Sequence, residues 1–196
     1  MRKDVFVASK VSADNLHHDD VIRACRATLA RLGTSYVDLY QVHWPNPKIP
    51  IRETMSAMEE LVRDGSIRYI GVSNFNVAET EEASQALTKN EIVSNQVEYS
   101  LSSRSAEAEI LPYCVRAKMT LIAYSPLARG QIARSVQDSI LRKYKMTPAQ
   151  VMLNWVTRND QVVAIPKATN IPHLEENASS ISFRFTAAEY DLLSEG

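Results

Sequence analysis

Apolar positions in this chain follow two alternating patterns. Short runs rich in β-branched and aromatic residues are each followed by a longer segment with apolar residues at helical spacing. Val5 to Ala8 predicts the first strand. Asp19-Asp20 then predicts the cap of a helix with Val21, Ile22, Cys25, Leu29 and Leu32 on one face, and Gly33 predicts its stop. Val37 to Val42 predicts a second strand, interrupted by Asp38. A helix with Met55, Met58, Leu61 and Val62 in one stripe follows and closes at Gly65. The third strand is Ile67 to Val72, followed by a weakly apolar helix from Val77 to Leu87. Ile92 to Val97 is the fourth, with helical sequence from Ala106 to Ala117 that places Ile110, Leu111, Cys114 and Val115 inward. The fifth is Thr120 to Ala123, with a helix from Val136 to Tyr144. Thr147-Pro148 opens another helix, with proline at its first position and Val151, Met152, Trp155 and Val156 inward. Val162 to Ile165 is the sixth strand. Two short helices end the chain, one over His173 to Ser179 and one opened by Thr186 and Glu189 in capping-box spacing.

Six strands, each followed by a helix, predict an α/β protein of parallel βαβ units. Two architectures fit, an open doubly wound sheet and a barrel. A dinucleotide-binding open sheet would usually carry a G-x-G-x-x-G turn after a strand. This chain has five glycines in all, no such turn and no Walker pattern. Its 196 residues suit one domain. They are short for an eight-fold barrel, which typically needs about 250.

Charge and cysteine usage narrow the function classes. Lys plus Arg is 22 and Asp plus Glu is 23, a formal net charge of −1. That balance points away from a nucleic-acid groove or a membrane patch as partner. No apolar run is long enough for a signal peptide or a membrane span. Cys25 and Cys114 lack metal-ligand spacing and predict buried free thiols, which fits a reducing compartment such as the cytoplasm.

Candidate chemistry collects where strands end. The six ends read Ser9-Lys10, Gln41-Val42-His43-Trp44, Ser73-Asn74, Asn95-Gln96 with Tyr99-Ser100, Tyr124-Ser125-Pro126 and Pro166-Lys167. Parallel barrels and open parallel sheets both bind ligands beyond the carboxyl ends of their strands. Single polar residues there are weak evidence, because strand ends are polar anyway. Six in order, with a lysine and a histidine among them, predict a site.

Those segments also carry a resemblance. Ala8-Ser9-Lys10-Val11, Gln41-Val42-His43-Trp44-Pro45, Gly71-Val72-Ser73-Asn74-Phe75, Asn95-Gln96-Val97-Glu98-Tyr99, Ala123-Tyr124-Ser125-Pro126-Leu127 and Ile165-Pro166-Lys167 resemble the aldo-keto reductase family in order and in approximate spacing. The resemblance runs from Val5 to the last helix. It implies a parallel (β/α) TIM-type barrel and NAD(P)H-dependent reduction of aldehydes and ketones to alcohols by hydride transfer.

The resemblance also implies roles. The family's catalytic group is Asp, Tyr, Lys and His; Lys10 matches the lysine and His43 the histidine. Hydride reaching a carbonyl carbon leaves negative charge on its oxygen, which a positioned donor must stabilise and protonate. A phenol serves only if its pKa, about 10 when free, is lowered, and a nearby ammonium does that. Ser73, Asn74 and Gln96 match the holders of the nicotinamide carboxamide, an amide that needs both donors and acceptors. Tyr124 matches the aromatic that stacks on the nicotinamide ring. Ser125, Pro126, Leu127 and Arg129 match the pyrophosphate-side loop, and Lys167 the lysine on the adenosine-end phosphates. Ala168, Thr169 and Asn170 fall in the loop that closes on the 2′ position, and Glu176 and Asn177 match the pair that holds the adenine. His173 stands where many members carry an arginine for the 2′-phosphate, so NADP or NAD is expected without a strong NADPH preference. Trp44 matches a substrate-pocket residue. Bland readings compete at single positions: a solvated lysine at Lys10, a core histidine at His43, a turn residue at Asn74, a half-buried strand tyrosine at Tyr124, a solvated loop charge at Arg129 and a core tryptophan at Trp44.

The family's Asp and Tyr sit in a D-x-A-x-x-Y stretch that would lie upstream of Met1. The one A-x-x-Y here, Ala187 to Tyr190, lies in the last helix and lacks the aspartate. The expectation is a single domain over residues 1–196, a partial barrel of about six of eight β/α units with the N-terminal two missing. Three accounts fit: a fragment read from an internal methionine, a natural short protein whose edges a partner or second copy covers, and a non-catalytic relative that senses nicotinamide cofactor. Unpaired barrel edges predict self-association. The expected function is an oxidoreductase that is weakly active or inactive as this chain alone. The alternative is a non-catalytic cofactor-binding interaction module.

Overall fold

The computed structural model describes residues 2–130 and 138–195. They fall into two compact units, residues 2–96 with 116–119, and residues 97–115 with 120–130 and 138–195.

The first unit is a strand–helix repeat: β1 (Ala8–Val11), α1 (His18–Leu32), β2 (Val37–Val42), α2 (Ile51–Arg63), β3 (Ile67–Ser73), α3 (Val77–Ala86) and the greater part of β4 (Ile92–Glu98). Its strands run parallel in sequence order, with Lys10 opposite Gln41, Gln41 opposite Gly71, and Gly71 opposite Ser94. All six residues of β2 are buried, as suits a central strand covered on both faces. Asp38 tolerates that burial because Arg2 and Arg68 pair with it at 2.7 and 3.0 Å and Val7 N–H donates to it at 2.9 Å. Burial raises the Asp38 carboxyl, but the Val7 N–H and the two guanidinium groups outweigh it and hold the group below its ordinary value.

A register shift between Ile70 and Gly71 sets the faces of β4. Ile92 pairs with Ile70, whereas Ser94 pairs with Gly71, so β4 carries one extra residue, Val93. The extra residue turns Asn95 toward the start of α3, where its amide donates to Phe75 O, just before the helix, at 2.8 Å and reaches Thr80 Oγ1 at 3.5 Å. Ser94 and Gln96 then share the opposite face with Gly71 and Ser73.

The second unit holds α4 (Ile110–Ala117), β5 (Thr120–Tyr124), α5 (Asp138–Tyr144), α6 (Pro148–Val156), β6 (Val162–Ala164), α7 (Ile171–Ser179) and α8 (Ala187–Ser194). Strands β5 and β6 pair in parallel. Thr147 and Gln150 form a capping box at the start of α6, and Thr186 and Glu189 form one at α8. Buried Asn154 pins the end of the chain: its amide donates to Ser180 O and Phe183 O, and its oxygen accepts from Tyr190.

Several expectations need correction. The first strand begins at Ala8 rather than Val5; Val5 and Phe6 are exposed and follow a 3-10 turn over Arg2–Asp4. Helix α1 starts one residue before Asp19, which lies with Asp20 in the first turn. There, instead of a local cap, Glu53 of α2 accepts from His18 N–H. Leu32 and Val115 are exposed, so neither belongs to its expected stripe. The segment from Ala106 to Ala117 is broken into a 3-10 turn and α4. Val136 and Gln137 of the expected fifth helix lie outside the described residues. Gly33 closes α1 at φ +61°, as its position predicts. Both cysteines are buried and free, and burial pushes each thiol up to about 11.

Candidate active site

In the first unit, the register and the two-residue period bring the predicted residues onto one face of the sheet. Lys10, Gln41, Gly71 and Ser94 form a row across four strands. His43, Ser73 and Gln96 follow two residues on, at the carboxyl ends. Gly71 leaves room in that row: a Cβ there would meet Ser94 Oγ at 2.5 Å and Gln41 Cγ at 3.0 Å. The Gln41 amide nitrogen donates to Val72 O at 3.1 Å, while its oxygen is buried without a partner among the described residues.

Lys10 is half-buried, and among the described residues it has no ion-pair partner. Loss of hydration lowers its pKa, because burial penalises the ammonium form. His43 is exposed, so it is no core histidine; its backbone continues the ladder by donating to Val11 O at 3.0 Å. Trp44, 49% exposed at the same mouth, is no core tryptophan either.

Asn74 sits at φ +62°, a left-handed conformation uncommon for any residue but glycine and best tolerated by asparagine and aspartate. Its side chain donates to His43 O at 3.0 Å and to Ser73 Oγ at 3.1 Å, and its backbone N–H donates to Gln96 O at 2.9 Å. Ser73 Oγ donates to the same carbonyl at 2.9 Å. The main chains just after β2 and β3 and near the end of β4 are thereby tied together. Gln96 is a mostly buried residue, and its side-chain amide makes no hydrogen bond among the described residues.

The second unit holds the remaining candidates. Tyr124 is half-buried at the end of β5; burial and then nearby Glu98 raise its phenol, against Arg129. The loop after it is left-handed at Ser125, Ala128, Arg129 and Gly130, closed by Ala128 N–H to Ser125 O and Gly130 N–H to Leu127 O. Pro126 is buried, Leu127 half-buried and Arg129 exposed. Lys167 and Thr169 are exposed and Ala168 is half-buried. Asn170 caps α7, accepting from the backbone N–H of exposed His173 at 2.8 Å. Glu176 and Asn177 lie half-buried on α7. Glu176 lines a cleft of about 230 Å³ with Leu127, Gly130, Thr147, Pro148, Ala149 and Met152. Among the described residues, no group of His, Cys, Asp or Glu is arranged to hold a metal ion, and no helix is long and apolar enough to cross a membrane.

Residues 1–195 match the model of the aldo/keto reductase family. The chain belongs to that family. The methylglyoxal reductase YeaE of Escherichia coli (strain K12) is 39% identical over 199 residues, covering 98% of this chain and 70% of that protein. The glyoxal reductase of Bacillus subtilis (strain 168) is 36% identical over 191 residues, 97% of this chain and 67% of its own length. Among solved structures, the thermostable aldo-keto reductase Tm1743, in complex with the inhibitor epalrestat, superposes with a TM-score of 0.95 at 43% identity, over 100% of this chain and 72% of that one. An aldo/keto reductase from Klebsiella pneumoniae, solved with NADP and acetate, gives 0.90 at 36% identity, over 100% of this chain and 71% of that one. This chain thus spans 67% to 72% of the length of these four proteins.

Aldo/keto reductase membership makes the parallel strand–helix repeat a TIM-type (β/α) fold, of which six strands are described here. Sequence reasoning named Gln41 only as a strand-end residue and did not single out Gly71 or Ser94 as parts of the polar row. Part of their signal was present: Gln41 and Ser94 lie two residues before His43 and Gln96, and so on the same face of their strands. Thr147 was read only as a helix start.

Proposed function

We propose that this chain carries the cofactor-binding residues and two catalytic residues of an NAD(P)H-dependent carbonyl reductase. The observation that carries the reading is the single face shared by Lys10, without an ion-pair partner among the described residues, exposed His43, Ser73 and Gln96. Gln96 is a mostly buried residue whose amide makes no hydrogen bond among the described residues, and it suits a carboxamide, which supplies both a donor and an acceptor. When bound, the nicotinamide supplies the hydride. Ser73, Asn74 and Gln96 hold its carboxamide, and Tyr124 stacks on the ring. Ser125, Pro126, Leu127 and Arg129 face the pyrophosphate, and Lys167 the phosphates of the adenosine end. Ala168, Thr169, Asn170 and His173 surround the 2′ position, where histidine in place of arginine admits NAD as well as NADP. Glu176 and Asn177 hold the adenine. His43 donates to the substrate carbonyl, and the Lys10 ammonium lowers the pKa of the group that protonates it. Trp44 lines the substrate mouth. The reductases of methylglyoxal and glyoxal among the relatives make small dicarbonyls the first substrates to try. The free thiols of Cys25 and Cys114 fit a reducing compartment, so the cytoplasm is the proposed location.

Residues 1–196 contain no D-x-A-x-x-Y stretch. We therefore propose weak or no turnover by this polypeptide alone, since a lost general acid typically costs 10²- to 10⁴-fold. The same observation favours a second reading, a cofactor-binding module without catalysis, and self-association belongs with it. Calorimetric titration with NADH and NADPH, followed by a methylglyoxal turnover assay, separates the readings. Comparable affinity for both cofactors with feeble turnover is expected. A large NADPH preference overturns the cofactor assignment at His173. Turnover at ordinary reductase rates, abolished by Lys10→Met, overturns the inactivity. Absence of any cofactor binding removes both readings.

A further inference from the structure

Thr147 does more than start a helix. Proline at 148 restricts the residue before it to extended backbone, and Thr147 sits at φ −82°, ψ 158°. That geometry makes it the N-cap of α6. Its Oγ accepts from Gln150 N–H at 3.3 Å, and its own N–H donates to Gln150 Oε1 at 2.9 Å. The hydroxyl still has one proton to give, and it goes to Glu176 Oε1 on α7. The other end of Gln150 donates to Ser179 Oγ at 2.7 Å, and Ser179 Oγ donates to the Glu176 carbonyl at 2.8 Å. A closed ring, Thr147–Gln150–Ser179–Glu176, thus fixes both the backbone and the carboxylate of Glu176.

Thr147 and Glu176 line the same cleft, whose other walls are mainly apolar: Leu127, Pro148, Ala149 and Met152. An apolar slot with one fixed carboxylate suits a flat heteroaromatic ring bearing an amino group. Thr147 takes one acceptor position of the carboxylate and leaves Oε2 for such a donor. A glutamate held in advance loses less rotamer freedom on binding than a free one. We propose that Thr147 is a positioning residue for the adenine end of the cofactor, acting through Glu176. The proposal rests on the reading of Glu176 as an adenine-holding residue.

Thr147→Asp separates the two duties of this residue. Aspartate is a good N-cap, but when ionised it has no proton to donate and repels Glu176. The test titrates the 196-residue chain with 5′-AMP and, separately, with nicotinamide mononucleotide, by calorimetry. Expected for Thr147→Asp is 5′-AMP binding weakened by up to about tenfold, the scale of one immobilised side chain, with mononucleotide binding and the melting temperature near those of the parent. Thr147→Ser keeps the hydroxyl and restores 5′-AMP binding. Equal weakening of both ligands, or failure of Thr147→Ser to restore binding, makes the role merely structural and overturns the proposal. Unchanged 5′-AMP affinity in Thr147→Asp, with weakened affinity in Glu176→Ala, overturns it while leaving the reading of Glu176 in place. Unchanged affinity in Glu176→Ala, or no 5′-AMP binding by the parent chain, overturns both.

Discussion

Lys10 shows what a reactive position costs in stability. Its ammonium is half-buried without a counter-ion among the described residues, and desolvation lowers its folded-state pKa. In the unfolded chain a lysine titrates near about 10.4. Between the two values the unfolded chain binds more protons, so stability rises with pH through that window. Below it, the charged Lys10 opposes folding. Lys10→Met is therefore expected to raise the urea midpoint at pH 7, and the advantage to shrink as the pH approaches about 10.4. The difference between the two pH profiles cancels every group they share, including the cysteines and tyrosines that titrate nearby. Parallel profiles from pH 7 to 11 would show that Lys10 is not desolvated. Asn74 is the conformational counterpart, held at φ +62° by three hydrogen bonds that also fix Ser73 and Gln96.

At the scale of elements, the second unit is tied by a charged network rather than by apolar packing alone. Glu107 accepts from Tyr99 OH at 2.7 Å, from Arg158 at 2.5 Å and from Arg104 at 2.8 Å. Arg104 continues to Ser194 O at 2.5 Å, and both guanidinium groups lie over the ring of buried Trp155. The segment before α4 and the residues just after α6 thus meet on one carboxylate, and Arg104 extends the network to the end of α8. Burial raises the Glu107 carboxyl, but Arg104, Tyr99 and Arg158 outweigh it and hold it below its ordinary value. Burial pushes the Tyr99 phenol the other way, upward, against Arg158. Removing the carboxylate charge leaves two guanidinium groups facing each other with one acceptor fewer. Glu107→Gln is expected to lower stability by about 1–3 kcal/mol, the range for stripping a partner from a charged hydrogen-bond network. Urea unfolding measures it. A shift below about 0.5 kcal/mol, the level of an ordinary surface change, would mean the network adds nothing.

Across the whole molecule, what was legible in the sequence is what rests on local chemistry. The left-handed stop at Gly33, the proline start after Thr147, the Thr186–Glu189 capping box and the buried run of β2 each need only a few neighbouring residues, and each stands where its signal lies. The strand shift at Val5 and Phe6, the exposure of Val115 and the extra residue at Val93 depend on what packs nearby, and no local signal carries that. The candidate site divides the same way. Period two places Ser73 and Gln96 at strand ends, but their sharing of a face with Lys10 depends on register, and the bond from Thr147 to Glu176 joins segments 29 residues apart. Acid stability is equally a tertiary property. In the first unit Asp38, Glu53 and Glu59 all lie below their ordinary carboxyl values. Val7, Arg2 and Arg68 outweigh burial at Asp38. The His18 N–H and His17 hold Glu53 down, and the backbone of Lys89 with the hydroxyl of Thr88 outweighs burial at Glu59. In the second unit Glu107 is also low, and Glu189 falls to about 2 through Lys143 and the Thr186 N–H. Unfolded, these groups return to about 3.9 for Asp and 4.3 for Glu. As the pH falls below those values the unfolded chain binds more protons than the folded one, so stability falls with pH. The urea midpoint is expected to hold between pH 7 and about pH 5 with respect to these five carboxylates, and to decline steadily from about pH 4.5 toward pH 2. Glu189→Gln should start lower and decline less below about pH 4, because its share of the acid-sensitive stability has already been removed. A midpoint level down to pH 3, or a Glu189→Gln profile parallel to that of the parent, would mean these pairings do not stabilise the fold.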